Sequence, residues 1–384
     1  MQKILQLNKY SLSGLLFGLV ILYPLIYAIP LIRDIGTKFE NYFFFGILIL
    51  LISRIILTKF LNENIKISLS ILALFFAIVF ITFINIDSIR YSKPTYFFVF
   101  LFLVFSVTEI NTFNFNALYP FFKLIIISFF VLSFLYIKSK DAYFFNHTRY
   151  QSFFNSPTIF SVMITVMYIL SLFSFKKKWI KILLFIISVY FLYLTKTRLN
   201  LVFFALIVPI YYVLNYDLIS KQKLFIIFNT ILLSIYPIYN YVMNLDFFQN
   251  LIMIRYGEKR DASFGLRSHL NDIGLNFFLE SSRLNKIFGN GSEYTRIQVI
   301  EIFGQDLLVH NDYIRILVDF GIIFTLLYLI LLYKLSSRNN ISFILCLLYL
   351  FSFYHNMIYS MFLVPLIIIC SKLKHNNELE KKLS

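Results

Sequence analysis

Uninterrupted apolar runs, each about long enough to cross a bilayer, constrain this chain more than any other feature of it. A helix rising about 1.5 Å per residue needs roughly 20 apolar residues to traverse a hydrocarbon layer roughly 30 Å thick. Such runs fall near 12–32, 41–58, 66–86, 95–110, 118–137, 158–174, 180–195, 200–216, 224–241, 313–333, 342–355 and 357–372. The last two are barely separated, so eleven or twelve crossings are counted, and twelve is the reading adopted. The runs stay apolar instead of alternating with period two, which argues against a membrane barrel. Composition agrees, with 59% hydrophobic and 14% charged residues against roughly 45–50% and 25% for soluble domains. The expected fold is an all-α integral membrane protein. The first run, 15–32, is longer than a signal-peptide core and lacks a small-residue cleavage site, so it is taken as a true span.

Charge sets the orientation. Thirty-five Lys and Arg exceed 19 Asp and Glu, a net +16, and positive segments tend to stay cytoplasmic. With the N-terminus inside, the cytoplasmic breaks hold Arg54, Lys59 and Lys66, then Lys176, Lys177, Lys178 and Lys181, then Lys221 and Lys223, then Lys334 and Arg338. The break at Arg90 and Lys93 runs against this pattern; the C-terminal two thirds decide. The charge therefore reads as orientation plus attraction to anionic lipid, and not as a nucleic-acid footprint. Residues 1–241 carry nine spans with a short periplasmic loop at 138–157. Residues 242–312 form a large periplasmic loop, 313–372 the last three spans and 373–384 a cytoplasmic tail. Within the large loop, 267–284 is expected to form one amphipathic helix on the membrane surface, and Gly289 and Gly291 mark a turn.

Familiar chemistries are missing. There is no GxxxxGK[ST] loop, no HExxH and no GxSxG, and Asp261, Glu280, Glu293, Glu301 and Asp306 form no DxD pair. Cys346 and Cys370 lie inside apolar runs and read as packing residues. No cofactor or metal is expected. The outward polar residues are instead rich in arginine: Arg149, Arg198, Arg255, Arg260, Arg267, Arg283, Arg296 and Arg315. A guanidinium is a planar, permanently charged fork that suits phosphate oxygens. Arg198 stands out because it sits at the outer mouth of an apolar run, where a lone cation is costly unless it snorkels to the headgroups. His310 lies where the large loop re-enters the membrane and can accept a proton near neutral pH. Asn311 beside it reads equally as a helix cap. His355, with Asn356, lies on the same outward side. Tyr256, Tyr294 and Tyr313 can stack on sugar rings or pack in the interior.

Four segments together resemble the bacterial O-antigen ligase and O-antigen polymerase superfamily of integral membrane glycosyltransferases. HNDYIRILVDFGII, 310–323, is similar to the family's HN-x-x-L-x-x-L-x-E-x-G-I, with Asp319 in place of Glu. TKTR, 195–198, resembles a short S-R motif. RYQSFFNSPTIFS, 149–161, resembles R-x-x-G-x-F-x-N-P-N, with Ser152 for Gly. GLRSHL followed by IFGNG, 265–291, resembles R-x-x-x-W…F-G-x-G without the Trp. The resemblance covers about 140–335 and implies a glycan donor carried on undecaprenyl diphosphate, with the acceptor either another lipid-linked repeat unit or lipid A-core. It further implies a site at the periplasmic face of the inner membrane, contact with membrane lipids and a chain-length regulator as partner. By matching motif, Arg198 and His310 are the expected catalytic pair. Arg149, Arg267, Arg255 and Asn311 would bind diphosphate or glycan, with His355 and Asp319 supporting them. Polymerase is preferred over ligase because the departures suggest a divergent member. A flippase of lipid-linked sugars and a structural partner in an export complex are the other classes left open.

Overall fold

A computed structural model describes residues 18–29, 42–50, 52–53, 115–144, 148–243, 262–355, 357, 360 and 362–372. Helix dominates. After helical residues at 18–26 and 42–50 come α1 (Phe115–Tyr136), a two-strand hairpin β1 (Tyr143–Phe144) and β2 (Arg149–Tyr150), α2 (Pro157–Ser174), α3 (Lys178–Thr195), α4 (Arg198–Asn215) and α5 (Lys221–Met243). The large loop contributes α6 (Ala262–Glu280), α7 (Arg283–Phe288) and α8 (Tyr294–Phe303), and the chain returns through α9 (Asp312–Ser336), α10 (Asn340–Phe351) and α11 (Leu363–Lys372). Four helices, α2, α3, α4 and α9, are long and apolar enough to cross a membrane; Pro120–Tyr136 and Asn340–His355 are shorter apolar helices. The expected crossings at 66–86 and 95–110 lie outside the described residues, as do Arg255, Arg260, Asn356 and Tyr256.

Two helices form the centre. In α2, 83% of the spanning window is buried, against 28% in α3 and 33% in α4, so α3 and α4 leave apolar outer stripes exposed. Trp179, Ile182, Ile186, Val189, Tyr190 and Tyr193 make that stripe on α3. Burying α2 requires its hydroxyls to find partners, since hydrocarbon offers none. They bond back along the helix: Thr165 Oγ1 donates to Ser161 O at 2.9 Å, Ser171 Oγ to Tyr168 O at 2.7 Å and Ser174 Oγ to Leu170 O at 2.8 Å. The second central helix, α10, is buried from Ile341 to Phe351, with Cys346 in its middle.

The helices alternate in direction, and three of their turns meet at one end. Lys221 Nζ donates to Ser337 O at 3.1 Å, Asn340 Nδ2 to Asn215 Oδ1 at 3.2 Å, and Lys181 lies 5.6 Å from the Tyr211 ring centroid. The turn before α3, with Lys176 and Lys177, the turn leading to Lys221 and Lys223 at the start of α5, and the turn between α9 and α10 therefore share one end of the bundle. At the other end, Phe203 of α4 meets Phe351 of α10 at 4.9 Å, and Phe353 just beyond α10 meets Tyr313 of α9 at 5.0 Å. This relay of rings puts the start of α4 and the start of α9 on the same side.

The large loop differs from expectation in one respect. The single helix expected over 267–284 is two, because Ser281 and Ser282 interrupt it. Ser281 Oγ turns back to Phe277 O at 2.6 Å and Ser282 accepts from Asn285 N at 3.2 Å, capping α7. Serine hydroxyls compete with the helical ladder in this way and favour ends over interiors. Nor does α6 only lie on a surface: Leu270 joins Val299, Val309, Ile314 and Val318 in a small core of its own.

Candidate functional site

The short loop between α1 and α2 is fixed before it presents anything. Tyr143 pairs with Tyr150 and Phe144 with Arg149 in the hairpin. Tyr150, Phe153 and Phe154 are fully buried. Tyr150 donates its hydroxyl to Ser133 O on α1, and burial pushes that phenol above its ordinary pKa. Ser152, where the resembling motif has Gly, sits at φ +54°, in the left-handed region that favours glycine. Ser156 caps α2 by accepting from Thr158 N at 3.2 Å, and Pro157 occupies the first helical turn. The Ser-Pro pair is thus a helix start.

Arg149 reaches from this hairpin to the turn between α3 and α4. Its Nε donates to Thr195 O at 3.1 Å and its Nη2 to Thr197 Oγ1 at 3.5 Å. Thr195 ends α3, where the last carbonyls lack helical donors and a cation is favoured. Lys196 then takes φ +54° and closes the helix through its N–H to Tyr193 O. Thr197 is buried and Arg198, which begins α4, is exposed. A cation in a first turn opposes the helix dipole, so Arg198 and the N–H groups beside it both favour an anion there. Two residues on, Asn200 is buried and donates to Ser161 Oγ of α2, which pins the head of α4 to the central helix.

At the start of α9 the arrangement is different. His310 is half-buried immediately before the helix. Asn311 Oδ1 accepts from Tyr313 N at 3.0 Å and caps it. Tyr313 is buried against Phe353 and Tyr354, and donates to Asn229 Oδ1 at 3.3 Å. Arg315, 5% exposed, is held by Asp312 Oδ1 at 2.9 Å and Glu293 Oε1 at 3.5 Å. Arg296 meets Glu293 at 3.8 Å and grips Asp306 with two bonds, Nε to Oδ1 at 2.8 Å and Nη2 to Oδ2 at 2.5 Å. That fork holds the Asp306 carboxyl below, and Arg296 above, its ordinary pKa. Four linked charges of alternating sign, Asp312, Arg315, Glu293 and Arg296, thus connect α9 to the head of α8, and Asp306 extends the chain.

Asp319 is buried and works on the same joint. Its Oδ1 accepts from Thr295 N at 2.9 Å and from Thr295 Oγ1 at 2.5 Å, and its Oδ2 from Glu293 N at 3.2 Å. It therefore caps α8 from another helix. Two residues on, Gly321 takes φ +78°, ψ 176° and breaks the helical path of α9. The break leaves Val318 O and Asp319 O without their helical donors. Asn290 N and Gly291 N replace them at 3.0 and 2.9 Å, and Asn290 Nδ2 adds a third bond to Val318 O at 2.9 Å. A Cβ on Gly321 would come 2.4 Å from Ile287 O, and one on Gly289, at φ +93°, 2.3 Å from Asp319 O. Both glycines are needed for two backbones to touch. The FGNG and HN…DFG motifs are two halves of one lock.

Residues 183–329 match the family model described as O-antigen ligase. Over that segment, 147 of the 384 residues, the chain is similar to this family. The family's members are integral membrane, glycosyltransferase-like enzymes with lipid-linked glycan donors and acceptors. No curated protein and no solved structure matches the chain. The matched segment contains Arg198, Arg255, Arg267, His310, Asn311 and Asp319, and leaves Arg149 and His355 outside.

Of the residues singled out from sequence, Arg149 and the Arg198 turn are in contact, and His310, Asn311 and His355 lie at the same end of the bundle, His355 half-buried in the turn after α10. Arg267 falls on α6, its side chain outside the described residues. Asn311 and Asp319 are occupied in capping. The network of Arg315, Glu293, Arg296 and Asp312 was not anticipated. Its signal was present: positions 312, 315 and 319 are spaced to share one helix face.

Proposed function

We propose that the protein is an O-antigen, or surface-polysaccharide, polymerase of the inner membrane, with about twelve crossings and its outward loops at 138–157 and 242–312 in the periplasm. It moves a glycan from undecaprenyl diphosphate onto another lipid-linked repeat unit. The observation that carries this reading is the exposed Arg198 at the head of α4, braced by Arg149 within reach of Thr195 and Thr197, on the end of the bundle opposite the lysine-rich turns. Positive turns remain cytoplasmic, so Arg198 and His310 face outward.

The chemistry is a displacement at the anomeric carbon. His310 takes the proton of the acceptor hydroxyl, whose oxygen forms the new glycosidic bond as the bond from the anomeric carbon to the diphosphate oxygen breaks. The electron pair leaves with the diphosphate, and Arg198 stabilises the negative charge that grows there. A preorganised cation facing a developing charge is worth about 10²–10³ in rate. The energy comes from the lipid diphosphate bond, so neither nucleotide nor metal is called for, which chelator treatment of purified protein with lipid-linked donor tests directly.

A second reading, transfer of finished chains to lipid A-core, is favoured by the description of the family model itself. Surface polysaccharide from a strain lacking the gene separates the two. Core bearing a single repeat unit supports polymerase; bare core with long chains on the lipid carrier supports ligase. Repeat units stranded on the cytosolic leaflet would overturn both and indicate a flippase.

A further inference from the structure

We propose that α7 and the turn after it form a wedge that dips into the outer leaflet of the bilayer and seals the break in α9 at hydrocarbon depth. Three observations converge on this.

The first is a change of surroundings along α9. From Asn311 to Gly321 every residue is buried except Leu317, which is half-buried; beyond the break Ile322, Ile323, Leu326, Leu327 and Ile330 are exposed. That second stripe is the pattern of a helix facing lipid. The second is length. Residues 322–336 number fifteen and cover only about 22 Å of a hydrocarbon layer about 30 Å thick. With Lys334 and Arg338 at the cytosolic boundary, Gly321 lies about 8 Å below the outer one. The third is satisfaction of the break. Irregular backbone survives in hydrocarbon only where protein supplies its hydrogen bonds, and Asn290 and Gly291 supply those of Val318 and Asp319.

α7 carries the apolar side chains that such depth requires. Leu284 is 68%, Ile287 38% and Phe288 54% exposed, while Lys286 turns back onto Leu279 O at 2.7 Å. Because Ile287 O and Gly289 N lie against Gly321, α7 carries these exposed side chains beside the point where the exposed stripe of α9 begins. An apolar face buried about 5–10 Å into the boundary is typical of interfacial helices, and the length deficit falls in that range. The occupant is therefore the acyl region of membrane lipid. Asp312 then stands ten residues, about 15 Å, above Ile322, at headgroup level.

The test uses the full chain in vesicles, with Trp179, the one tryptophan, replaced by Phe. Phe288→Trp should show blue-shifted emission and quenching by lipids brominated on the acyl chain comparable with Leu326→Trp. The aqueous reference, Gln305→Trp, should be quenched by iodide instead. Iodide quenching of Phe288→Trp at the level of Gln305→Trp would overturn the proposal. If Phe288→Trp does not accumulate, a nitroxide on Phe288→Cys decides: oxygen collisions exceeding those of a nickel chelate support the wedge, and the reverse sinks it. Neither outcome depends on which acceptor the enzyme uses.

Discussion

The heads of α4 and α9 lie on the same side of the bundle and both carry arginine, yet they handle the charge in opposite ways. At α4 the backbone is immobilised and the cation left open: Arg149 ties the turn, Asn200 pins the helix, and Arg198 is exposed with no ion-pair partner among the described residues. At α9 the cations are spent internally, Arg315 on Asp312 and Glu293, Arg296 on Glu293 and Asp306. A buried charge must be compensated by protein, while a charge kept for a ligand must not be. The comparison separates an arginine that can meet a diphosphate from those that build the frame.

The sharpest way to break this contrast is Arg198→Ala. Polymer formation should fall about 10²–10³-fold at unchanged protein level, and Arg198→Lys should recover part of it, since charge survives without the planar fork. A normal polysaccharide ladder in the alanine variant would end the assignment. Next in size is Gly321→Ala, which forces a side chain into the Ile287 carbonyl at positive φ. It should destabilise the loop by on the order of 3 kcal/mol, seen as faster proteolysis between α6 and α8 and a lowered unfolding temperature. Arg149→Ala removes the brace without touching the open cation. Activity should drop about tenfold, equivalent to roughly 1.4 kcal/mol, with thermal stability nearly intact, and Arg149→Lys should not restore it because one ammonium cannot reproduce the two-pronged contact.

Smallest is Asp306→Asn at the exposed end of the network. Half-exposed pairs contribute under about 1 kcal/mol and are screened by salt. Because Arg296 depresses the Asp306 pKa in the fold, the pair's stabilisation is present above the unfolded carboxylate's pKa and is lost as pH falls through the depressed value. The difference in unfolding temperature between wild type and variant should therefore shrink on acidification and in high salt. An effect as large as that of Gly321→Ala would mean that the α9 frame is weaker at its joint than at its rim.

Much of this was visible in the sequence for a simple reason: a membrane helix advertises itself by length and apolarity, which are local. The runs at 158–174, 180–195 and 200–216 fall within a few residues of α2, α3 and α4. The grip of Arg149 on Thr195 links residues 46 apart and has no local signature, although both motifs had been marked. Asn311 shows the converse, since it is legible as a cap from its place before an apolar run. The division of 267–284 was missed because period alone cannot show that two serines will turn back on the helix before them. The break at Gly321 was hidden inside a run that reads as continuous, and only the backbone of another segment lying against it explains why glycine is required.

The ring cluster beneath the short loop between α1 and α2 carries a last implication. Tyr150, Phe153 and Phe154 pack with Phe129, Phe160 and Phe191 across three helices. Such a keel keeps the loop from swinging aside as a door. On the proposed reading, donor and acceptor would come to a stationary dock, and any moving part would have to lie elsewhere in the molecule.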